Sequence, residues 1–319
     1  MRNDLKINTS AGSIPTRQSR WKEAWKRKEL YLMLLPGIAL LLLFKYLPMY
    51  GLAIAFQDFS LKKGVFGSEW VGLRHFIDFF TIEGSKRALM NTLIISFLRL
   101  LWGFPAPILL AVLLNEVGNK AYKKVVQTVS YIPHFISWVI ASGMMYVLLS
   151  PSTGVAGYLF QALGLEPVYF MADPKYFRSV LVVSDIWKGV GWGTIVYLAG
   201  ISNINPELYE AAVVDGATRF QRITRITVPS LMPLISIVLI LRMSHIMEGG
   251  FDQIFNMYNS AVMEVADIID TYVYRLGMQK MQYDFGAAVG LFKSAVSLIL
   301  VIVVNQISRK ISNNEAALF

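Results

Sequence analysis

Residues 203–229 read Asn203-Ile-Asn-Pro-Glu-Leu-Tyr-Glu-Ala-Ala-Val-Val-Asp-Gly-Ala-Thr-Arg-Phe-Gln-Arg-Ile-Thr-Arg-Ile-Thr-Val-Pro229. Apolar runs flank the stretch on both sides, so it takes the place of a loop, yet it carries helix signals of its own. Asn205 is a good N-cap, and Pro206 fits the first helical position. Glu207 complements the positive end of a helix dipole. Glu210-Ala211-Ala212 is strong helix former. After Asp215, Gly216 supplies the permissive position that stops a helix. Thr218 can cap a second helix, predicted to end before Pro229. A short helix, a turn and another helix are thus expected at a membrane surface. A rigid projecting element of small and charged residues suits docking into a partner's groove. A plain amphipathic connector would carry the same signals, and composition alone leaves both readings open.

The surroundings of this loop are apolar. Of 319 residues, 55% are hydrophobic and 16% charged, and the mean hydropathy is +0.49. Globular chains are roughly 25% charged. This excludes an ordinary cytosolic enzyme, a disordered chain and a disulfide-stapled secreted domain. With no cysteine in the sequence, thiolate catalysis and Cys-based zinc sites are excluded as well. His75, His134 and His245 lie too far apart in sequence for a ligand cluster. About 20 apolar residues in a helix cross the hydrocarbon core. Six windows qualify, at about 30–55, 88–114, 126–149, 180–201, 231–247 and 286–307. The expected fold is an all-α membrane protein of six transmembrane helices, with residues 203–229 between the fourth and fifth.

Lys and Arg give the orientation. The two termini and the loops on their side carry 16, and the three opposite loops carry 9. The excess places both termini in the cytoplasm and accounts for the net charge of +9 without a nucleic-acid partner. Residues 1–29 read as a polar cytoplasmic tail with an interfacial helix, Trp21 and Trp25 sharing one face beside lysines. The first apolar run reads as a retained anchor, not a cleaved signal. Residues 30–307 form the membrane domain, and 308–319 a cytoplasmic tail.

Glu210-Ala211-Ala212, Gly216, Ile226 and Pro229 together resemble the "EAA…G…I-LP" signature of ABC importer permeases, with Val228 where the family usually has Leu. Other stretches agree: Trp70-Val-Gly-Leu-Arg-His-Phe76, Asn91-Thr92, Ile132-Pro133, Pro151-Ser-Thr-Gly154 and Leu163-Gly-Leu165. Over about residues 25–310 the chain is similar to sugar permeases of the maltose/glycerol-phosphate type, in their LplB-like branch for complex oligosaccharides. The resemblance implies the type I ABC importer permease fold in a bacterial cell membrane. It also implies a second six-span permease, a cytoplasmic ABC ATPase dimer and an extracytoplasmic sugar-binding protein or lipoprotein as partners. The segment at about 206–215 would be the coupling helix seated in an ATPase groove. Glu210 would make its polar contact, Ala211 and Ala212 would allow close approach, Asp215 would end the helix, and Gly216 would make the turn. No GxxxxGK[ST] phosphate loop is present. No cofactor is therefore expected on this chain, and ATP would be bound by the partner ATPase.

Five cations fall inside the apolar runs: Lys45, Arg99, Lys188, Arg242 and Lys293. Charge at mid-membrane costs at least ~2.5 kcal/mol on insertion scales and usually faces protein or water. Asp185 is the one acid inside the runs, and its spacing allows it to pair with Lys188 on one helix face. An uncompensated positive set remains. Arg99 with Trp102, Lys188 with Trp192, and Arg242 and Lys293 have the chemistry of a cavity for an acidic, uronate-containing oligosaccharide. Guanidinium groups fork onto carboxylates, and aromatic faces stack on sugar rings. Snorkelling (for Lys45 and Lys293), pairing with acids of the partner permease, and gating contacts are the other readings. Gly189, Gly191 and Gly193 permit close helix packing or a loosened helix. Pro105 and Pro107 are expected to kink the second span, and Asn91 to cap its start. The external segment 248–284 reads as a solvated loop, or as a surface meeting the binding protein or the substrate end of the cavity, with a membrane-surface helix among its aromatics.

Two other classes compete. A secondary transporter of a sugar or organic anion predicts coupling carboxylates within spans and often an inverted repeat. Asp185 alone is present, and the halves do not repeat. An intramembrane enzyme predicts paired Asp, a Ser/His dyad or HExxH, and the sequence contains none. The chain reads as a transport subunit without catalytic residues.

Overall fold

The computed structural model describes residues 28–311. The interfacial helix expected around Trp21 and Trp25 lies outside them, as do residues 312–319. Two compact units divide the chain at residues 53 and 54. In the first, α1 (Lys28–Leu41) continues through a wide turn over Leu42–Tyr46 into a 3-10 stretch that starts at Leu47. Every side chain from residue 28 to 50 is exposed, Lys45 included. An apolar surface of this length requires lipid or protein around it.

The second unit opens with a two-residue antiparallel pair. β1 (Gln57–Asp58) meets β2 (Glu69–Trp70), with Gln57 opposite Trp70. Next comes α2 (Arg74–Thr81), whose buried Phe79 packs on the rings of Phe285 and Phe292. Helix α3 (Glu83–Leu98), a wide turn over Arg99–Gly103 and α4 (Pro105–Glu116) form one helix of 34 residues. The two prolines do not break it. Pro105 falls in the first turn of α4, where a backbone N–H has no helical partner to lose.

The third run is bent. Helix α5 (Lys120–Tyr131), capped by Asn119, and α6 (Trp138–Leu148) are inclined at 107°. A 3-10 turn over Ile132–Phe135 separates them. Pro133 supplies no donor there, Ile136 and Ser137 are extended, and the Ser137 hydroxyl caps α6 at Ile140 N (3.3 Å). Helix α7 (Pro174–Ser202) follows. Added side-chain atoms at Gly191 would strike the Ser130 backbone, and at Gly193 they would crowd Pro107. Those two glycines serve close packing, whereas Gly189 meets nothing.

Helices α8 (Pro206–Val214) and α9 (Arg219–Arg222) fill the stretch that opened the sequence. Pro229 does not end the second one. A wide turn over Ile223–Thr227 carries α9 straight into α10 (Val228–Ser244), with Val228 N–H bonding back to Ile223 O. This i→i−5 pattern places the proline where no α-helical donor is needed. The rest is α11 (Phe251–Met257), α12 (Ile269–Tyr274) and α13 (Tyr283–Ile311).

Three buried clusters hold this unit. One joins Ile95 of α3 and Leu181 of α7 to Ile254, Met257 and Ile268. A second joins Phe79, Met247, Ile269, Phe285 and Val289, and a third Ala111, Tyr197, Ile201 and Leu231. Segment 248–284 therefore contributes Ile254, Met257, Ile268 and Ile269 to the core, while Glu248, Asp252 and Glu264 stay exposed. Among the described residues, four helices are long and apolar enough to cross a membrane: Lys28–Phe56, Glu83–Glu116, Arg219–Ser244 and Tyr283–Arg309. The bent pair makes a fifth. Helix α7 has 29 residues but is not among them, because its glycines, Asp185 and Lys188 dilute its apolar character.

Candidate functional site

The surface loop has the local geometry its sequence predicts. Asn205 Oδ1 accepts from Glu207 N (3.1 Å), and Pro206 opens α8. At the far end Gly216 adopts φ +74°. Its N–H bonds Val213 O (3.1 Å), and Ala217 N–H bonds Ala212 O (2.8 Å), the paired bonds of a Schellman stop. Thr218 and Gln221 then close a reciprocal capping box on α9. Tyr209 OH meets Thr227 Oγ1 at 2.9 Å and ties α8 to the wide turn below α10. Glu210, Ala211, Asp215 and Gly216 are exposed, and Ala212 is half-buried. Val214 stands 87% exposed beside them.

Deeper in the bundle, Arg99, Asp185 and Arg242 come together with Ser96, His245 and Glu248 around a cavity of about 470 Å³. A second cavity of about 400 Å³ adjoins it, lined by Arg99, Trp138, Asp185, Glu248, Asp252, Asp270 and Lys293. Arg99, Asp185, Glu248 and Gly250 line both and form the partition. Arg99 is buried. It donates through Nη1 to Gly249 O (2.7 Å) and through Nη2 to Gln253 Oε1. Gln253 in turn donates to Leu181 O (2.8 Å) and Ser184 Oγ (2.7 Å) on α7. Gly250, at φ +82°, sits so close to this guanidinium that a Cβ would overlap it.

The cations divide: Arg242 and Lys293 meet carboxylates, whereas Arg99 and Lys188 meet neutral acceptors. Asp185 pairs with Arg242 (3.7 Å) on the neighbouring α10, not with Lys188. Lys188 Nζ donates instead to His134 O (2.7 Å) at the α5–α6 bend and lies 5.6 Å from the Trp138 ring centre. Trp192 stacks flat on His134, centroids 4.5 Å apart. Lys293 does not snorkel but pairs with Asp270 of α12. Trp102 is exposed and lines neither cavity. Arg242 is the least committed, with its side chain 48% exposed and one carboxylate at the edge of ion-pair range.

Asn91 is no cap. It is buried inside α3, donates to Glu264 O (2.9 Å) and Asp267 O (3.0 Å), and accepts from Arg178 (2.8 Å). Asp267 is held by both guanidinium nitrogens of Arg275, at 2.8 and 2.5 Å. That carboxylate pushes the Arg275 pKa further above its usual value. Arg178, Asp267 and Arg275, with Glu248, Asp252, Asp270 and Gln253, carry no mark in the sequence that singles them out. The nearest to one is Ala266-Asp-Ile-Ile-Asp270, two carboxylates flanked by isoleucines in a supposed loop.

A family model described as "Binding-protein-dependent transport system inner membrane component" matches residues 103–313. The chain is 46% identical to Protein LplB of Bacillus subtilis, over 91% of this chain and 92% of that one. It is also 46% identical to the polygalacturonan/rhamnogalacturonan transport system permease protein YteP of the same organism, over 89% of each. Two solved structures are similar to it at a TM-score of 0.85. One, 48% identical and matched over 92% of this chain and 99% of that one, is of a bacterial ABC transporter involved in the import of the acidic polysaccharide alginate. The other, 47% identical over 92% and 98%, is of the bacterial alginate ABC transporter in complex with an alginate pentasaccharide-bound periplasmic protein.

Proposed function

Because this chain belongs to the family of binding-protein-dependent transport system inner membrane components, we propose that it is one of two permease subunits of an ATP-driven importer of oligosaccharides, acidic ones included. The observation that carries this reading is the pair of adjoining polar cavities inside an otherwise apolar bundle, with Arg99, Asp185, Arg242 and Lys293 in their walls. Water or substrate has to fill such space, since lipid cannot satisfy those groups. The acidic substrate class is supported by the relatives, which are named for polygalacturonan, rhamnogalacturonan and alginate. Arg242 is the residue we assign to the substrate carboxylate, because it alone of the four is half exposed and weakly paired. Trp192 with Lys188, at the bend of the third run, offers a flat aromatic face beside a cation.

The chain spans the membrane six times in this reading, α7 included. Its polar side chains meet partners inside the bundle, Ser184 with Gln253, Asp185 with Arg242, Lys188 with His134 O and Thr194 with Pro107 O, where hydropathy is not the criterion. Both termini lie in the cytoplasm, residues 30–307 form the membrane domain, and the tails at 1–29 and 308–319 flank it. Helix α8 is the coupling helix. Glu210, Ala211, Ala212, Asp215 and Gly216 meet an ATPase chain that binds the nucleotide, so this subunit carries no catalysis and no cofactor of its own. A second permease completes the cavity, and an extracytoplasmic sugar-binding protein loads it. ATP-driven closure of the ATPases draws the coupling helices together and turns the cavity from outside to inside.

Purification of the tagged chain from its own host in mild detergent tests the reading. A second six-span chain and an ATPase are expected to co-purify. A homo-oligomer free of ATPase refutes it.

A further inference from the structure

A third cavity, of about 440 Å³, lies between four helices. Its walls are Asn115 and Glu116 at the end of α4, Ile201 and Ile204 after α7, Pro206 and Tyr209 of α8, and Arg219 and Arg222 of α9. Glu116 is the last residue of one candidate span, and Arg219 is the first of another. The cavity therefore sits where the apolar bundle meets the membrane surface. Two guanidinium groups face one carboxylate in its lining. None of the ion pairs among the described residues includes Arg219, Arg222 or Glu116. Arg222 Nε is shut off from solvent and has no acceptor in the chain. That nitrogen is closed to the cavity as well, but among the described residues neither arginine side chain in the lining takes part in a hydrogen bond or ion pair. Two unpaired guanidinium groups in one cavity favour an anion, and a tetrahedral one with several oxygens suits two forked donors.

We propose that this cavity binds the phosphate headgroup of an anionic membrane phospholipid, clamped by Arg219 and Arg222. The position favours lipid over a soluble anion or a protein carboxylate. Basic pockets between helices at a membrane face select anionic headgroups. Phe220, 73% exposed on the same short helix but outside the cavity lining, offers an apolar side chain to the surrounding bilayer. The site leaves the coupling surface free. Pro206 and Tyr209 line the cavity, whereas Glu210, Ala211 and Val214 do not. A bound lipid would brace α8 from the side away from those residues. The inference rests on the topology proposed above only in placing this end of the spans at the membrane surface.

The test uses the intact importer complex, delipidated in detergent and titrated with phosphatidylglycerol or phosphatidylcholine, with bound lipid counted by native mass spectrometry. One phosphatidylglycerol per chain is expected, and Arg222→Gln should bind it about fivefold more weakly, the equivalent of about one near-surface cation. The double variant with Arg219→Gln should lose it. Arg225→Gln, an exposed residue outside the cavity, serves as the folding and charge control. Equal binding of both lipids, or equal binding by all variants, overturns the proposal. Displacement by millimolar inorganic phosphate would identify a free-anion site instead. Loss of the ATPase chains from Arg222→Gln at unchanged lipid count would make the cavity a protein contact. Subunit composition is read in the same spectra, so a failure of the importer reading shows separately from a failure of the lipid site.

Discussion

Arg99 and Arg242 line one cavity and answer to different physics. Arg99 is buried, and its two terminal nitrogens are committed to Gly249 and Gln253. Removing it leaves those acceptors unpaired in a low dielectric, at a cost on the order of 2–4 kcal/mol. Arg242 is half exposed and has one carboxylate at 3.7 Å, so its loss strands little. Arg99→Met is therefore expected to lower the melting temperature of the complex markedly and depress uptake of charged and neutral oligosaccharides alike. Arg242→Gln should leave the melting temperature nearly unchanged and depress uptake of uronate-containing oligosaccharides about tenfold more than neutral ones, the effect of one charge-assisted contact. Equal losses for the two sugars in Arg242→Gln would remove the charge-selectivity argument. Both arginines are legible in the sequence as charges inside apolar runs. Their partners are not. Helix spacing suggests Asp185 with Lys188, because only contacts within one helix leave a local trace; the true partner of Asp185 stands on α10. A backbone carbonyl such as Gly249 O leaves no trace at all.

Among elements, the α8–α9 loop is the most fully written in local code. Caps and stops act over three or four residues, so Asn205, Pro206, Gly216 and Thr218 all take the roles their identities suggest. Gly216 has open space around it, so its requirement is φ alone. Gly216→Ala should cost about 1 kcal/mol of loop stability and loosen ATPase attachment without abolishing it. Ala211→Arg, on the exposed face of α8, should leave the permease folded but reduce co-purified ATPase to near background. Full transport in the Ala211→Arg complex would rule α8 out as the coupling element. The passage of the chain through Pro229 is not legible, because a wide turn accommodates the proline by a bond one residue longer than the α pattern. The 107° bend in the third run escapes for a related reason: Pro133 announces an interruption but not its angle, which Ile136 and Ser137 decide by both adopting extended backbone.

At the scale of the molecule, the sequence offers six apolar windows, whereas hydropathy admits four of the described helices as spans, or five with the bent pair. The discrepancy is α7, whose polar residues are spent on neighbours inside the bundle. Topology decides the matter. The sequence has no cysteine, so one introduced thiol reports its own side. Cysteine in place of Phe66, 97% exposed, and in place of Val214 should be labelled by an impermeant maleimide from opposite sides of the membrane, Phe66 from outside. Labelling from the same side would mean that α7 does not cross. Segment 248–284 is the largest region the sequence misplaces. Its acids look like solvated charge, and only the fold shows Asp267 and Asp270 taken up by Arg275 and Lys293.

The wide turns at Arg99–Gly103 and Ile223–Thr227 carry one more consequence. Each inserts a residue into a long helix, and each residue of an α-helix turns the chain by ~100°. The faces before and after such a turn are therefore indexed like two halves of a keyed shaft. If α8 is the coupling element, torque applied to it would reach α10 through the second key, held in phase by the bolt between Tyr209 and Thr227. Deleting a single residue there would leave every helix intact and mis-time the whole drive train.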